Sequence, residues 1–385
     1  MTCPACREAA RFVGYRRTKL VSLFGSVVYE RAYYHCPHCH QGEFPTDSQL
    51  HLQQGKTLAA SEIITLAGLL EPFEESADRV LCKMTGLRLS TSTVRRVTEQ
   101  TGDDLARRRT NLEVIGPQQP WTWHRDTQGR SVAYSSLDAT GVRQQGPCGE
   151  QAEGRMSQVA AIFNPALKPL KKKSQARLEQ VRYLSGLLSL PEIGRQLRRE
   201  CRNAGMDQAD VVVALTDGGG GLEDCLLDAL GGVAREIVFV LDFYHASEHI
   251  HDFLKDWIPD ESRRKPIAAE WCHLLKEQGG AAILDRLQEL DLSQTSAAIR
   301  EAHRLLSGYL ERNRHRTDDP TYLRCGWQIG SGVIESACKS VVGRRLKGPG
   351  MRWRERGTTA LCQLRALYLS ESSLWDHYWT KTLTT

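Results

Sequence analysis

Apolar and polar residues alternate over positions 20–24 and again over 27–33, with Gly25 and Ser26 between them. A period of two interrupted by turn residues predicts a β-hairpin within residues 1–50. From about Ala59 to Arg109 the period lengthens to that of a helix, most clearly at Ala77, Val80, Leu81 and Met84, which recur at i, i+3, i+4 and i+7. Gly86 stops that helix. Ser90 to Ser92 offer N-caps for a second one, with Val94 and Val97 facing inward and Arg95 and Arg96 outward. A stretch rich in Pro, Gln and Trp, Gly116 to Trp123, reads as a linker between domains.

Beyond the linker, residues 132–137, 159–163, 211–215 and 237–241 read as strands, separated by helical stretches. The last two are unbroken apolar runs rich in β-branched residues, the pattern of central strands covered on both faces, so the expected class is an α/β sheet. Ala246 to Arg316 is polar and helical with no strand candidate. From Gly332 a last helix carries the stripe Ile334, Ala337, Cys338, Val341 and Val342 and ends before Gly348-Pro349-Gly350. The expected organisation is a zinc ribbon over 1–50 and a helix-turn-helix-like DNA-binding domain over 55–115. A first core segment over 130–250, an all-α insertion over 251–325 and a final core segment over 326–371 complete it. The sequence has no internal repeat, and its one low-complexity tract is Lys171-Lys172-Lys173.

The length of 385 residues is ample for two or three domains, and 41% hydrophobic against 25% charged residues is ordinary globular composition. A disulfide-stapled miniprotein and a disordered chain are excluded. The net charge of +5 is too weak over this length to prove an anionic partner unless it is clustered. Of the 12 Cys, four form two close pairs and eight are scattered, which points to a reducing compartment and apolar packing roles. The N-terminus lacks a signal-peptide pattern and no apolar run approaches the ~18 residues of a membrane span, so a cytoplasmic protein without membrane partners is expected.

Cys3-Pro-Ala-Cys6 and Cys36-Pro-His-Cys39 place four thiolates at the ends of the hairpin, the donor set of a structural Zn²⁺ site. The 29 intervening residues make that hairpin long, and His35, His38 and His40 are possible substitute ligands. The helix, turn and helix over residues 74–105 match the layout in which a second helix enters the major groove, with Arg95, Arg96 and Arg107 to Arg109 as clustered cations. Helical pairs around a glycine also occur in ordinary bundles.

Asp138 and Asp217 close strand-like segments, the second before Gly218 to Gly221, where a carboxylate can hold a metal or substrate at a sheet edge. Glu335 lies one position from the apolar stripe of the final helix and can face the same edge. Three carboxylates from separate elements can bind two divalent cations for in-line attack on a phosphodiester. Each Asp alone is also an ordinary turn residue. The glycine run lacks the Gly-Lys-Ser/Thr of a phosphate loop, and no Gly-x-Ser-x-Gly elbow is present, so nucleotide binding and a serine nucleophile are set aside. Asp242-Phe-Tyr-His245 follows the strand at 237–241, and Asp242 there is equally an N-cap. Lys339, Arg344, Arg345, Lys347, Arg352, Arg354 and Arg356 against Glu355 give +6 over residues 339–356. With Trp353 among them, this run reads as a nucleic-acid groove rather than a solvated face.

These segments resemble the DDE transposases of bacterial insertion sequences, in particular the ISKra-type group, and more distantly Mutator-like and hAT enzymes. The resemblance covers nearly the whole chain. It is carried by residues 137–141 (LDATG), 215–219 (LTDGG), 241–245 (LDFYH) and, most specifically, 329–339 (IGSGVIESACK) running into 350–353 (GMRW). It implies an RNase H-like core interrupted by an all-α insertion, with Asp138, Asp217 and Glu335 as a triad binding two Mg²⁺ or Mn²⁺ ions. Asp242 and His245 match an accessory Asp/Cys-x-x-His signature. The implied activity is metal-dependent cleavage and strand transfer on terminal inverted repeats and target DNA, with the ribbon and paired helices locating the ends. A homodimer or larger assembly on paired ends and a nucleoid-associated location in a bacterium follow. Two other readings stay open: a non-enzymatic DNA-binding regulator, and an RNase H-like nuclease or inactive remnant. Members of the group are often longer at the N-terminus, whereas this chain begins at the zinc knuckle.

Overall fold

The computed structural model describes residues 1–165, 167–168, 177–178 and 180–381. The chain is mixed α/β. The Lys171 to Lys173 tract lies outside the described residues. Strands β1 (Arg11–Ser22) and β2 (Gly25–His35) form the long hairpin, and β3 (Gly42–Glu43) pairs with the end of β2. The tight turn is at Leu23-Phe24, with Ser22 paired to Gly25, and not at Gly25-Ser26 as the alternation predicts. Gly25 takes φ +105, a backbone conformation a side chain resists, so the glycine belongs just after the turn rather than inside it.

The longer helices that follow are α1 (Leu58–Leu70), α2 (Ser76–Thr85, wound wide) and α3 (Thr91–Thr110). Gly86 closes α2 in the left-handed region, and the Ser90 hydroxyl caps α3 by accepting from the Thr93 amide at 3.2 Å. Ala77, Leu81, Val94 and Val97 are buried as their spacing requires, but Met84 is 79% exposed, because the wide turn carries it off the apolar face. Helix α3 is docked on the last long helix: a Cβ at Gly102 would lie 2.5 Å from the Ala360 carbonyl oxygen.

The central sheet has the order β8-β7-β4-β5-β6, from β4 (Ser131–Gln145), β5 (Gln151–Phe163), β6 (Val181–Gly186), β7 (Val211–Thr216) and β8 (Ile237–Leu241). β5 runs antiparallel to β4 and β6, whereas β4, β7 and β8 are parallel. Side chains of β7 alternate between two cores. Val211, Val213 and Leu215 enter one with Ile334, Ala337 and Val341, while Val212 and Ala214 enter the other with Ile193 and Leu226. The second face is covered by α4 (Leu190–Asn203) and α5 (Leu222–Leu230). Strand β6 is an element the apolar pattern does not predict, because Arg182 and Tyr183 interrupt it. Residues 116–123 are no free linker either, since Trp121 and Trp123 are buried in that second core.

From β8 the chain enters α6 (Phe243–Trp257), α7 (Glu261–Gln278), α8 (Gly280–Gln288) and α9 (Ala297–Arg312), which pack around their own core, as the strandless stretch predicts. After α10 (Asp319–Arg324) it returns through α11 (Gly332–Ala337), which continues as a wide turn over Cys338–Gly343. Helices α12 (Glu355–Leu369) and α13 (Ser372–Lys381) end the described chain and carry buried Leu361, Leu364, Trp375 and Trp379. Among the described residues, no helix is long and apolar enough to cross a membrane.

Candidate functional site

The Sγ atoms of Cys3, Cys6, Cys36 and Cys39 all lie within 4.8 Å of one another. Cys3 and Cys39 are 3.6 Å apart and Cys6 and Cys36 3.5 Å, close to the edge of about 3.8 Å that four sulfurs at ~2.3 Å from one ion would define. Two tight turns build the pair of knuckles, closed by Arg7 N–H to the Cys3 carbonyl and His40 N–H to the Cys36 carbonyl. Amides of Cys6 and Ala5 point at Cys3 and draw its thiol down to about 7, and the Cys39 amide lowers Cys36. This centre could bind a metal such as zinc. No histidine joins the group, so His35, His38 and His40 stand outside it.

The second centre is the carboxyl-end rim of the parallel strands. Leu215 pairs with Ser136 and Thr216 with Leu241, so continuing both registers places Asp138, Asp217 and Asp242 at one level across β4, β7 and β8. Asp138 sits within β4, not at its end, because β4 runs on to pair with β5. What ends at Ser136 is the pairing with β7, so the rim opens there all the same. Burial raises the Asp138 carboxyl above the usual range, and the Asp217 charge adds to the effect. Asp138 accepts from the Ala139 amide at 2.6 Å and from Cys338 Sγ at 3.4 Å. Asp217 accepts from the Gly219 amide at 2.8 Å.

Asp242 is fully buried. It caps α6 by accepting from the Tyr244 amide at 2.8 Å, and its other oxygen accepts from Ser331, the residue that begins α11. It therefore ties the Glu335 helix to β8. Glu335 is half-exposed beside Lys339 at 3.7 Å. Its helix packs over β4 and β5, and one turn on, Cys338 reaches Asp138. Among the described residues only the four cysteines converge to within 4.8 Å as a group of three or more ligands, so Glu335 does not close a tight triad with Asp138 and Asp217.

His245 lies near enough to offset a small part of the burial-driven rise at Asp138, and it pairs with Glu248 at 3.4 Å. His249 stacks on Tyr309 with ring centroids 4.1 Å apart. Sequence reasoning missed the clamp this makes. The Tyr309 hydroxyl, from α9, donates to the Asp217 carbonyl at 3.0 Å, and Arg316 donates to Thr216 at 2.5 Å and pairs with Glu223 at 3.4 Å. The helical insertion thus grips the Asp217 turn at both ends. No local motif announces Tyr309, whereas Cys338 was discoverable as the i+3 neighbour of Glu335.

The basic run divides into two. Lys339, Arg344 and Lys347 are exposed on the α11 side, where Lys347 donates to Thr140, two residues past Asp138. Arg352, Arg354 and Arg356 are exposed beside a groove of about 650 Å³ whose other wall carries Arg95 and Glu99 from α3. Arg96 is exposed on the next position of that helix. Between the two halves, Arg345 and Trp353 are corrections to the expected DNA-binding set. Arg345 is 2% exposed, sandwiched between Phe73 and Trp353 at 4.7 and 5.0 Å from the ring centres, with Nε donating to the Gly68 carbonyl at 3.1 Å. Trp353 is buried and donates to the Leu346 carbonyl. Arg109 is likewise buried against Gln363. These side chains pin α3 and the basic loop to the sheet body instead of facing a ligand. No family model matches the chain, and no curated protein matches it.

Proposed function

We propose that the protein is a DNA transposase that cuts and joins strands at the terminal inverted repeats of an insertion sequence, with an RNase H-like core formed by β4–β8 and α11. One observation carries this reading: two carboxylates, Asp138 and Asp217, stand level on adjacent parallel strands, close enough that one raises the pKa of the other. Like charges held together at an opening favour a bound cation. The sheet order, in which β5 alone among β4–β8 is reversed, and the long helical excursion before Glu335 support the same reading.

Asp138 and Asp217, with Glu335 of α11 as a third donor that stands apart from them in this arrangement, are the carboxylates that would hold Mg²⁺ or Mn²⁺, ions that oxygen donors suit. Bound ions would activate the attacking oxygen and neutralise the leaving one. The protein's own contribution is positioning. Tyr309 and Arg316 fix the Asp217 turn, Ser331 and Asp242 fix the start of α11, and the two exposed halves of the basic run offer cations to backbone phosphates on either side of the rim. Two copies would hold two ends.

The test is Glu335→Gln in a nicking and joining assay on end-sequence duplexes with Mn²⁺. Cleavage should drop to background while DNA binding is retained, and cleavage that persists refutes the assignment. A non-enzymatic DNA-binding regulator is favoured by one feature, the arginine groove between α3 and residues 352–356, which is complete without the carboxylates. Metal-dependent nicking by the unmodified chain excludes that reading.

A further inference from the structure

The β1–β2 hairpin carries a second concentration of charge that the charge run at 339–356 obscures. Arg11, Arg16, Arg17, Lys19 and Arg31 against Glu30 give +4 over Arg11–His35. Its two faces differ. On one, Tyr29 and Arg31 are turned onto Asp47, Arg31 also lies over the Phe44 ring, and Leu20 is buried. On the other, the cross-strand pairs Tyr15 with Ala32, Arg17 with Glu30 and Lys19 with Val28 are uncovered. Tyr15 is 70% exposed, Val28 51% and the Arg17 side chain 76%. The bulge at Val13 brings Phe12, itself 52% exposed, onto this face, where its ring meets Tyr15 at 5.4 Å.

We infer that this face is a binding surface for duplex DNA, made by Phe12, Tyr15, Arg17 and Lys19 and separate from the arginine groove and the carboxylate rim. An exposed aromatic pair costs hydration unless something covers it. The cations flanking it at every second position select an anion with repeating charge, and a two-stranded ribbon is an element the major groove admits. From Phe12 to Lys19 the strand spans roughly 23 Å at ~3.3 Å per residue, about two-thirds of a helical turn of DNA. The choice of duplex DNA as occupant rests on the proposed action of the protein on DNA.

The experiment uses the full-length, metal-loaded chain and fluorescence anisotropy on a labelled 30-base-pair duplex at several salt concentrations. The triple variant Tyr15→Ala, Arg17→Ala, Lys19→Ala should bind about tenfold or more weakly, with the slope of log K against log salt reduced by about 2. Glu30→Gln, which frees Arg17 from its 3.6 Å partner, should bind more tightly, an outcome misfolding cannot produce. Unchanged affinity and slope in both variants overturns the inference. Tighter binding to a single strand of the same length, DNA or RNA, overturns the choice of duplex. If the triple variant binds weakly but the unmodified chain shows no metal-dependent nicking, the ribbon surface stands and the transposase reading falls. If nicking occurs and the triple variant binds normally, the reverse holds.

Discussion

Around the four cysteines, the packed side chains are few: Cys3, Ala10 and Cys36 are buried, with Cys6, Tyr34 and Cys39 against them. Beneath Asp138 and Asp217, Val132–Leu137 of β4 and all of β7 are buried, and apolar cores fill both faces of the sheet beneath the rim. The cysteine centre draws its donors from two turns joined by one hairpin. The rim draws on β4, β7, α6, α9 and α11, which meet only when the whole body folds. A metal on the four cysteines would therefore do much to hold that centre together, whereas the other is shaped in advance by tertiary packing. That difference dictates how each should respond to perturbation.

The largest expected effect is loss of metal from the ribbon. Structural zinc typically supplies ~10–16 kcal/mol of apparent binding energy to a small domain that barely folds without it. Chelation should expose residues 1–43 to amide exchange and protease while β4 and β7 stay protected, read by hydrogen-exchange mass spectrometry. Loss of protection in β7 on chelation would break the comparison.

The next is opposite pH dependence in the two regions. Asp319, at the start of α10, is 2% exposed, and its Oδ1 has no hydrogen-bond partner. Burial first, then the charges of Asp318 and Asp242, push its carboxyl up to about 7. The folded chain thus keeps a proton that the unfolded chain, with an ordinary value near ~3.9, has released. Stability of the body falls as pH rises from about 4 to 7, by up to about 4 kcal/mol from this group. Asp319→Asn should flatten that fall in urea titrations at pH 4.5 and 7.5. The ribbon should do the reverse, since thiolate ligands are lost to protons as pH falls.

A third effect separates two arginines of one charge run. Arg345→Ala should cost about 2–3 kcal/mol, through two lost cation–π contacts and a buried charge-assisted hydrogen bond. Arg354→Ala, on an exposed side chain, should stay within about 0.5 kcal/mol yet weaken DNA binding. Denaturant midpoints and anisotropy measured on both variants check the pair. Equal stability of the two variants would mean that the basic loop is not anchored through Arg345.

The same contrast explains which features were legible in the residues. Both Cys-x-x-Cys turns and the apolar strands β7 and β8 are set by neighbours a few positions away, and pattern reasoning found them, although β8, expected at the centre of the sheet, lies at its edge with three of its five residues only partly buried. Strand β6 was hidden because Arg182 occupies a buried position, which Glu371 at 2.7 Å and Glu200 at 3.3 Å make tolerable, and both partners are remote in sequence. Trp121 and Trp123 sat among linker-like Pro and Gln, and Arg345 and Trp353 among solvent-like cations. Burial decided all four, and burial is a property of the assembled fold. Asp138 and Asp217 stood out as carboxylates at apparent strand ends and Glu335 as one beside a helical apolar stripe, but nothing local told that β4 runs on past Asp138 or how far apart the three carboxylates would be.

The smallest effect concerns the residue that most clearly belongs to the rim alone. Tyr309 is 92 positions from Asp217 and touches its carbonyl oxygen through a single hydroxyl. Tyr309→Phe keeps the ring, its stacking on His249 and its packing, and removes one hydrogen bond worth about 1 kcal/mol. If the insertion positions the Asp217 turn, exchange protection at residues 217–221 should fall and the nicking rate should drop about tenfold, with apparent affinity for DNA unchanged. Protection and rate that both match the unmodified chain would show that the turn supports itself, as the cysteine turns do. The rim would then be a local construction at its most important strand end, and the contrast between the two centres would reduce to core size alone.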